Sequence, residues 1–473
     1  MTLTSFSFIC FFVIVFLLYW LVFNKSKDAQ NALILMSSLF FYASWDWRFL
    51  GLLFVTIVTT FIIGHFIKQS KTKKQKSILL ITALIINLGI LFLFKYYNFF
   101  VQAFLDLFSS YGLSINYSPL NLLLPIGISY YTFSSLSYCL DIYNEKIQPT
   151  KDFLAYCAYA SFFPSILSGP IGRAEKQLPQ YFEKREFSYE SAVTAGRAIL
   201  WGAFIKLCIA DKLGIYVDSV YENIMKHNGT TLCLTEFLYT IQIYSDFAGY
   251  SLIAIGSGKL LGIELPENFR RPYLSKTVTE FWRRWHISLT SWFRDYIYFP
   301  LGGSRVSVVR WMLNVTIVFV VSGLWHGAAY TFIIWGLLHG IIMIIERLVY
   351  GKKLKTIKDS LSLLNVLRII LTFCIVSFLW IFFRLETVSE SLYVIGKIFT
   401  EHGAPFIDIF TLIIAFISMA IMAVKELSEE YNWPIKLLTN NSAVIRYATY
   451  IFLICFILLF GELDGSSFIY FKF

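Results

Sequence analysis

The sequence predicts an all-α polytopic integral membrane protein, and three observations predict it. Its 473 residues are 57% hydrophobic and 15% charged, where a soluble domain carries about 25% charged residues. Apolar stretches of about 20 residues, enough to cross the hydrocarbon as a helix, recur from one end of the chain to the other. No alternating strand pattern runs through them, so helices must satisfy their backbone polar groups in lipid.

The stretches fall near residues 6–23, 31–47, 50–67, 78–97, 120–140, 192–210, 234–256, 366–383, 408–424 and 443–461. The first has no basic residue before it and no small-residue cleavage site, so it reads as a retained span rather than a signal peptide. Two more apolar runs, 153–168 and 311–349, are broken by Pro or Gly. Irregular backbone at membrane depth is tolerated only where protein buries it or it lines a cavity. SFFPSILSGPIGR (161–173) is therefore expected to be re-entrant. The run 311–349 lies between Arg310 and Lys352, which read as lying on one side, so it must turn back, and SGLWHGAAY (322–330) is the natural turn. The length rule gives about ten to twelve crossings in one membrane domain over 1–473. No soluble domain, internal repeat or low-complexity linker interrupts it.

The net charge of +10 does not point to nucleic acid, because the lysines sit in short runs beside apolar segments, as topology signals do. Lys25 and Lys27, the run Lys68 to Lys76, and Lys352, Lys353, Lys355 and Lys358 mark cytoplasmic loops, which leaves both chain ends outside. The seven cysteines form no CxxC pair, and most lie inside apolar stretches (Cys10, Cys139, Cys374 and Cys455), where they read as small buried hydrophobes, with no disulfide framework or zinc site. P-loop, GxSxG and HExxH patterns are absent, which argues against an ATPase, a serine hydrolase of that class and a zinc protease.

The chemistry concentrates in 281–335. On a helical wheel through 281–299, Trp282, Trp285, Leu289, Trp292, Phe293 and Tyr296 form one stripe, with His286 at its edge. The charge of this helix suits the membrane surface better than a span, and His286 reads either as a core histidine or as a reactive one. His326 stands between Gly323 and Gly327 inside an apolar segment. An ionisable residue there is a candidate functional site, and neutral imidazole is suited to taking a hydroxyl or thiol proton near neutral pH. Catalytic and structural readings of His326 both stand on pattern alone. His339 should not share its cavity if the helix is continuous. Asp246 and Asp141 are acids at membrane depth that need an Arg, Tyr or backbone partner. Arg270, Arg271, Arg283, Arg284, Arg294 and Arg305 crowd one stretch that suits lipid headgroups or a phosphate-rich thioester donor.

Six blocks carry a resemblance: LPIGISYYTFSSLSYCLDIY (124–143), SFFPSILSGPIGR (161–173), IYSDFAGYSLIAIG (243–256), NFRRPYLSKTVTEFWRRWHISLTSWFRDYIYFPLGGSR (268–305), GLWHGAAYTFIIWGLLHG (323–340) and FIYFKF (468–473). Through them the sequence resembles the membrane-bound O-acyltransferase (MBOAT) family, in the bacterial branch of alginate O-acetylation, peptidoglycan O-acetylation and D-alanine transfer. The resemblance implies helices around a transmembrane tunnel in the bacterial cytoplasmic (inner) membrane. His326 matches the essential histidine and His286 the second tunnel histidine, with Tyr470 as a candidate acyl relay. Asp246, Trp325, Arg284 and Arg294 are candidate supporting residues. The implied donor is acetyl-CoA or another acyl thioester, with no bound cofactor or metal. The implied partners are an extracytoplasmic SGNH-type acyltransferase or esterase, a polysaccharide acceptor and membrane lipid. Leu252 stands where the family has an acid, and Lys472 where it has a glutamine. D-alanyl transfer and a transporter or channel remain as alternatives.

Overall fold

The computed structural model describes residues 1–112, 117–351, 361–434, 436–463 and 469. The lysines at 352, 353, 355 and 358, together with Tyr470 and Lys472, lie outside the described residues. Among the described residues the regular structure is helical, with no strand. The chain forms two compact units, Met1–Gly196 with Ala254–Pro266, and Arg197–Ile253 with Glu267–Phe473.

The first unit contains α1 (Phe6–Leu17), α2 (Lys27–Asp46), α3 (Leu50–Gln69), α4 (Lys73–Leu91), α5 (Tyr97–Ser109), α6 (Ile128–Tyr143), α7 (Phe153–Ala160), α8 (Phe163–Ile166), α9 (Ala174–Gln177) and the start of α10 (Tyr189–Phe204). The helix starts follow local chemistry. Ser26 accepts from the Ala29 amide, and Thr72 and Gln75 close a reciprocal capping box, which satisfies amides that have no partner within the helix. The Pro- and Gly-rich segment at 161–173 folds as the single turn of α8 and irregular chain, packed inside the unit, with the Phe163 amide donating to Ser38 Oγ at 3.1 Å. The stretch expected at 120–140 becomes helical only at Ile128, after Pro125 and Gly127. Arg185, nearly buried, donates to Tyr19 Oη at 2.6 Å and Asn31 Oδ1 at 2.8 Å. That pins the chain before α10 to the helices at the N-terminus.

The second unit contains α11 (Asp211–Tyr221), most of α12 (Gly229–Leu260), α13 (Val278–Arg284), α14 (Ile287–Phe293), α15 (Val308–His326), α16 (Tyr330–Tyr350), α17 (Leu363–Arg384), α18 (Val388–Thr400), α19 (Ile409–Glu430) and α20 (Ala443–Phe460). Among the described residues, seven helical segments are long and apolar enough to cross a membrane: 27–69, 73–109, 308–326, 330–350, 363–384, 409–430 and 443–460. Their uncovered faces carry large apolar side chains such as Phe40, Phe54, Val444 and Leu459. Water would penalise so much exposed apolar surface, whereas lipid accepts it. The protein is a multi-pass membrane protein.

α12 covers the stretch expected at 234–256 but is buried nearly all round, and Thr235, Glu236, Thr240, Gln242, Ser245 and Asp246 lie inside together with Leu238, Ile243 and Phe247. It serves as an internal polar spine. The cysteines divide differently from the expectation. Cys139, Cys157 and Cys208 are buried, but Cys10, Cys374 and Cys455 are exposed, because they lie on helix faces that no neighbouring helix covers.

Candidate active site

The site grows from the hairpin of α15 and α16. A Cβ on Gly323 would come within 2.2 Å of the Phe332 carbonyl oxygen, and one on Gly336 within 2.2 Å of the Phe319 carbonyl oxygen. Only glycine permits so close a backbone approach. The chain turns back where the sequence places the turn, α15 ending at His326 and α16 starting at Tyr330. His326 is thus the last residue of α15 and is itself buried, 3% exposed. Its ring meets Trp325, Trp335 and Phe383 at centroid distances of 5.0, 5.2 and 5.1 Å.

His286 reaches the same place by a different route. The single helix expected over 281–299 does not form. It breaks into α13 and α14 with His286 between them in the left-handed region, at φ 41°. The cause is the preceding segment, which takes over the hydrogen bonds on both sides of the break. The Arg270 amide donates to the Arg284 carbonyl, and the Ile287 amide donates to the Asn268 carbonyl, each at 2.9 Å. The Asn268 side chain accepts from Ser288 Oγ at 2.8 Å and donates to Ser251 Oγ of α12 at 3.1 Å. A non-glycine residue in this region costs about 1–3 kcal/mol and persists only where its surroundings over-determine it. Here they do. The break turns the His286 ring to 6.4 Å from His326 and 5.7 Å from Trp325, with Phe247 on its other side at 4.7 Å.

Two cavities are lined by residues that neighbour this cluster in the chain, though neither histidine lines either of them. The larger, about 870 Å³, lies between α13, α14, α15 and α16 and reaches inward to Phe319 and Ser322, one turn before His326. Its outer part carries Arg283, Arg294 and Arg347, and the Arg347 guanidinium stacks 4.1 Å from the Trp311 ring centre. The smaller, about 310 Å³, begins at Gly327, directly after His326, and is walled by Tyr239, Gln242, Phe383, Arg384 and Ile469. His326 stands at the step between the residues that line one cavity and those that line the other.

The family model of MBOAT, the membrane-bound O-acyltransferase family, matches residues 37–386. The chain belongs to the membrane-bound O-acyltransferase family. It is 35% identical to the Probable alginate O-acetylase AlgI of Pseudomonas syringae pv. tomato, over 90% of this chain and 82% of that protein. It is 33% identical to the Peptidoglycan O-acetyltransferase of Helicobacter pylori, over 78% of this chain and 74% of that protein. The Teichoic acid D-alanyltransferase of Bacillus subtilis matches at 30% over 56% of this chain and 69% of its own length.

Within this MBOAT acyltransferase the expected residues separate into two groups. His326, His286 and Trp325 come together. Asp246 stands beside Phe247, which covers His286. It accepts from the Ile469 backbone amide at 2.7 Å, the backbone partner expected for it, and pairs with Lys206 at 2.7 Å, a lysine where an arginine was the other expectation. Arg294 reaches the larger cavity while pairing with Asp295 at 2.7 Å. Arg284 is not brought to the histidines. It bridges Glu280 and Glu430, the latter at 2.8 Å, and Arg271 joins the same carboxylate at 2.7 Å. These pairs tie α13 to α19, so two of the crowded arginines serve packing. His339 accepts from Trp282 Nε1 at 3.2 Å, and Trp335, 5.2 Å from His326 and 5.0 Å from His339, separates the two rings.

Two positions escape sequence reasoning. Asn268 builds the break at His286 with partners 17 and 20 residues away, and nothing in its local spacing marks it. Glu346 of α16 accepts from the Val278 and Thr279 amides at 2.6 and 2.8 Å. It caps α13 from 67 or 68 residues away, a placement that favours a carboxylate at a helix N-terminus.

Burial pulls the His286 imidazole from 6.5 to about 3, since an apolar surrounding penalises its charged form. The neutral form of the ring is therefore favoured through the neutral range. The effect on stability has the sign of a depressed base: it is fully present above the unfolded value of 6.5 and is lost as pH falls through the acid range toward 3. His286→Gln is expected to lower kcat while leaving the pH–rate profile unmoved between about pH 5 and about pH 9. Profiles of both forms measured across that range check it.

Proposed function

We propose that this protein transfers an acetyl group from a cytoplasmic acyl thioester, such as acetyl-CoA, across the bacterial cytoplasmic membrane for O-acetylation of a cell-envelope polysaccharide. The observation that carries the reading is the position of His326 between the lining of two cavities, with His286 6.4 Å away. The larger cavity, with its arginines at the outer part, suits the phosphates of a nucleotide-linked thioester. Clustered Lys and Arg favour the cytoplasmic side, so that cavity faces the donor. The smaller cavity then faces outward, and both chain ends lie outside.

In this reading His326 acts as general base. It takes the proton of the accepting hydroxyl, whose oxygen attacks the thioester carbonyl. As the tetrahedral intermediate collapses, the C–S bond breaks and the proton passes to the departing thiolate. Each turnover exchanges one thioester for one oxygen ester and one thiol. The C-terminal Tyr470 is the candidate first acceptor, and an SGNH-type partner outside the membrane would move the acetyl group onto polysaccharide. His286, with no change of charge near neutrality, would place the thioester rather than carry a proton.

The coverage of the acetylating relatives, at 90% and 78% of this chain against 56% for the D-alanyl relative, favours acetyl. The test is mild-base release of ester-linked groups from the envelope of cells with and without the gene, followed by mass spectrometry. Acetate that depends on the gene is expected. Gene-dependent D-alanine, or no released acyl group, would overturn the assignment.

A further inference from the structure

In the proposed reaction the acyl carbonyl comes to His326, and the rings around the imidazole fix what can follow it. Trp325, Trp335 and Phe383 meet the imidazole at 5.0, 5.2 and 5.1 Å. Of these three, Phe383 alone also lines one of the two cavities, the smaller. Its phenyl ring therefore has the imidazole on one side and that hollow on another. It cannot swing clear. Phe332, Trp335 and Trp380 pack against it at 5.0, 5.1 and 5.0 Å, and Phe383, Trp335 and Trp380 are each 0% exposed. Phe332 is seated on Gly327, where a Cβ would lie 2.1 Å from the phenyl ring. An interior packed this closely does not give up a methylene's worth of room without strain.

We propose that Phe383 sets the length of the transferred acyl group, confining the space beside the His326 imidazole to a two-carbon unit. A thioester carbonyl within reach of the general base has its remaining acyl carbons among these rings. Acetyl carries one methyl past the carbonyl, whereas propionyl and butyryl carry chains that meet a fixed wall. Shortening Phe383 opens that wall onto the smaller cavity, and the apolar space gained can take the extra methylenes. Trp335 is not equivalent, since its other neighbours are the Trp380 and His339 rings, at 5.5 and 5.0 Å, and it lines neither cavity. Phe383 is thus a specificity-determining residue. The role rests on the acyltransfer reading of His326 given above.

The test uses permeabilised cells that lack the gene and any paralogue, carrying full-length wild type, Phe383→Leu or Phe383→Ala. Acetyl-, propionyl- or butyryl-CoA is supplied at equal low concentration, and the ester-linked acids released by mild base give initial rates. Each protein's butyryl-to-acetyl ratio cancels differences in expression. Wild type is expected to discriminate against each added methylene by about 10–200-fold. In Phe383→Ala the ratio should rise about ten-fold or more, because each methylene buried in the space gained contributes about four-fold. Phe383→Leu should move it the same way by less. Wild type that uses butyryl-CoA as well as acetyl-CoA overturns the proposal without any variant. So does an unchanged ratio in Phe383→Leu. Loss of transfer from all three donors, in a Phe383→Leu protein that still elutes as a monodisperse peak, also overturns it, because the ring would then serve the reaction rather than the size of its cargo. Absence of acetyl transfer by wild type is a different result, which sinks the acyltransfer reading and this proposal with it.

Discussion

Replacing His326 with alanine is expected to lower acetyl transfer by about 10²–10⁴-fold, the usual contribution of a positioned general base. The expectation rests on placement. The ring is held by Trp325, Trp335 and Phe383 at the point where the lining of one cavity gives way to that of the other. No second histidine can take over, because His286 is fixed in its own turn and His339 is engaged by Trp282. The measurement is envelope acetate per cell in a strain lacking paralogues, with the melting temperature of the purified variant recorded beside it. His326→Gln, which keeps most of the packing, should show the same loss with a smaller change in melting temperature. Wild-type acetate in either variant would remove the histidine from the chemistry.

The second large effect is structural. Gly323→Ala should all but abolish properly folded protein, because the added methyl would lie 2.2 Å from the Phe332 carbonyl oxygen. A flexible side chain could move aside, but a backbone carbonyl within a helix cannot do so without displacing α16. Ordinary overpacking costs about 1–3 kcal/mol and occasionally more; a clash this short with backbone belongs to the far end of that range or past it, and a total stability of about 5–15 kcal/mol leaves little room for it. Fluorescence-detected size exclusion of detergent extracts should show loss of the monodisperse peak. Gly196→Ala, where the open side of the helix has no atom within 4 Å, should leave it intact.

Helix positions were legible because spanning length and apolar composition are local properties, and the hairpin at 322–330 followed from charge at both ends of its run. The aromatic stripe also came through, with Trp282, Trp285, Leu289, Trp292, Phe293 and Tyr296 all buried. The break at His286 did not. A helical wheel assumes continuous helix, and this helix is interrupted by hydrogen bonds to Asn268 and Arg270, which no periodicity within 281–299 records. Arginine roles were equally opaque. Charge runs show that Arg271, Arg283, Arg284 and Arg294 crowd together, but only distances separate Arg271 and Arg284, tied to Glu430, from Arg283 and Arg294 on the larger cavity. The polar spine of α12 looked like an ordinary span because its buried Thr, Gln and Asp residues are outnumbered by apolar neighbours.

The ring layer around His326 also sets what can come up to the imidazole. Trp325, Trp335 and Phe383 stand edge to face against it, so an arriving group must slide past aromatic edges and give up polar partners on the way. Such edges favour a small uncharged unit over an ion that must keep its hydration shell.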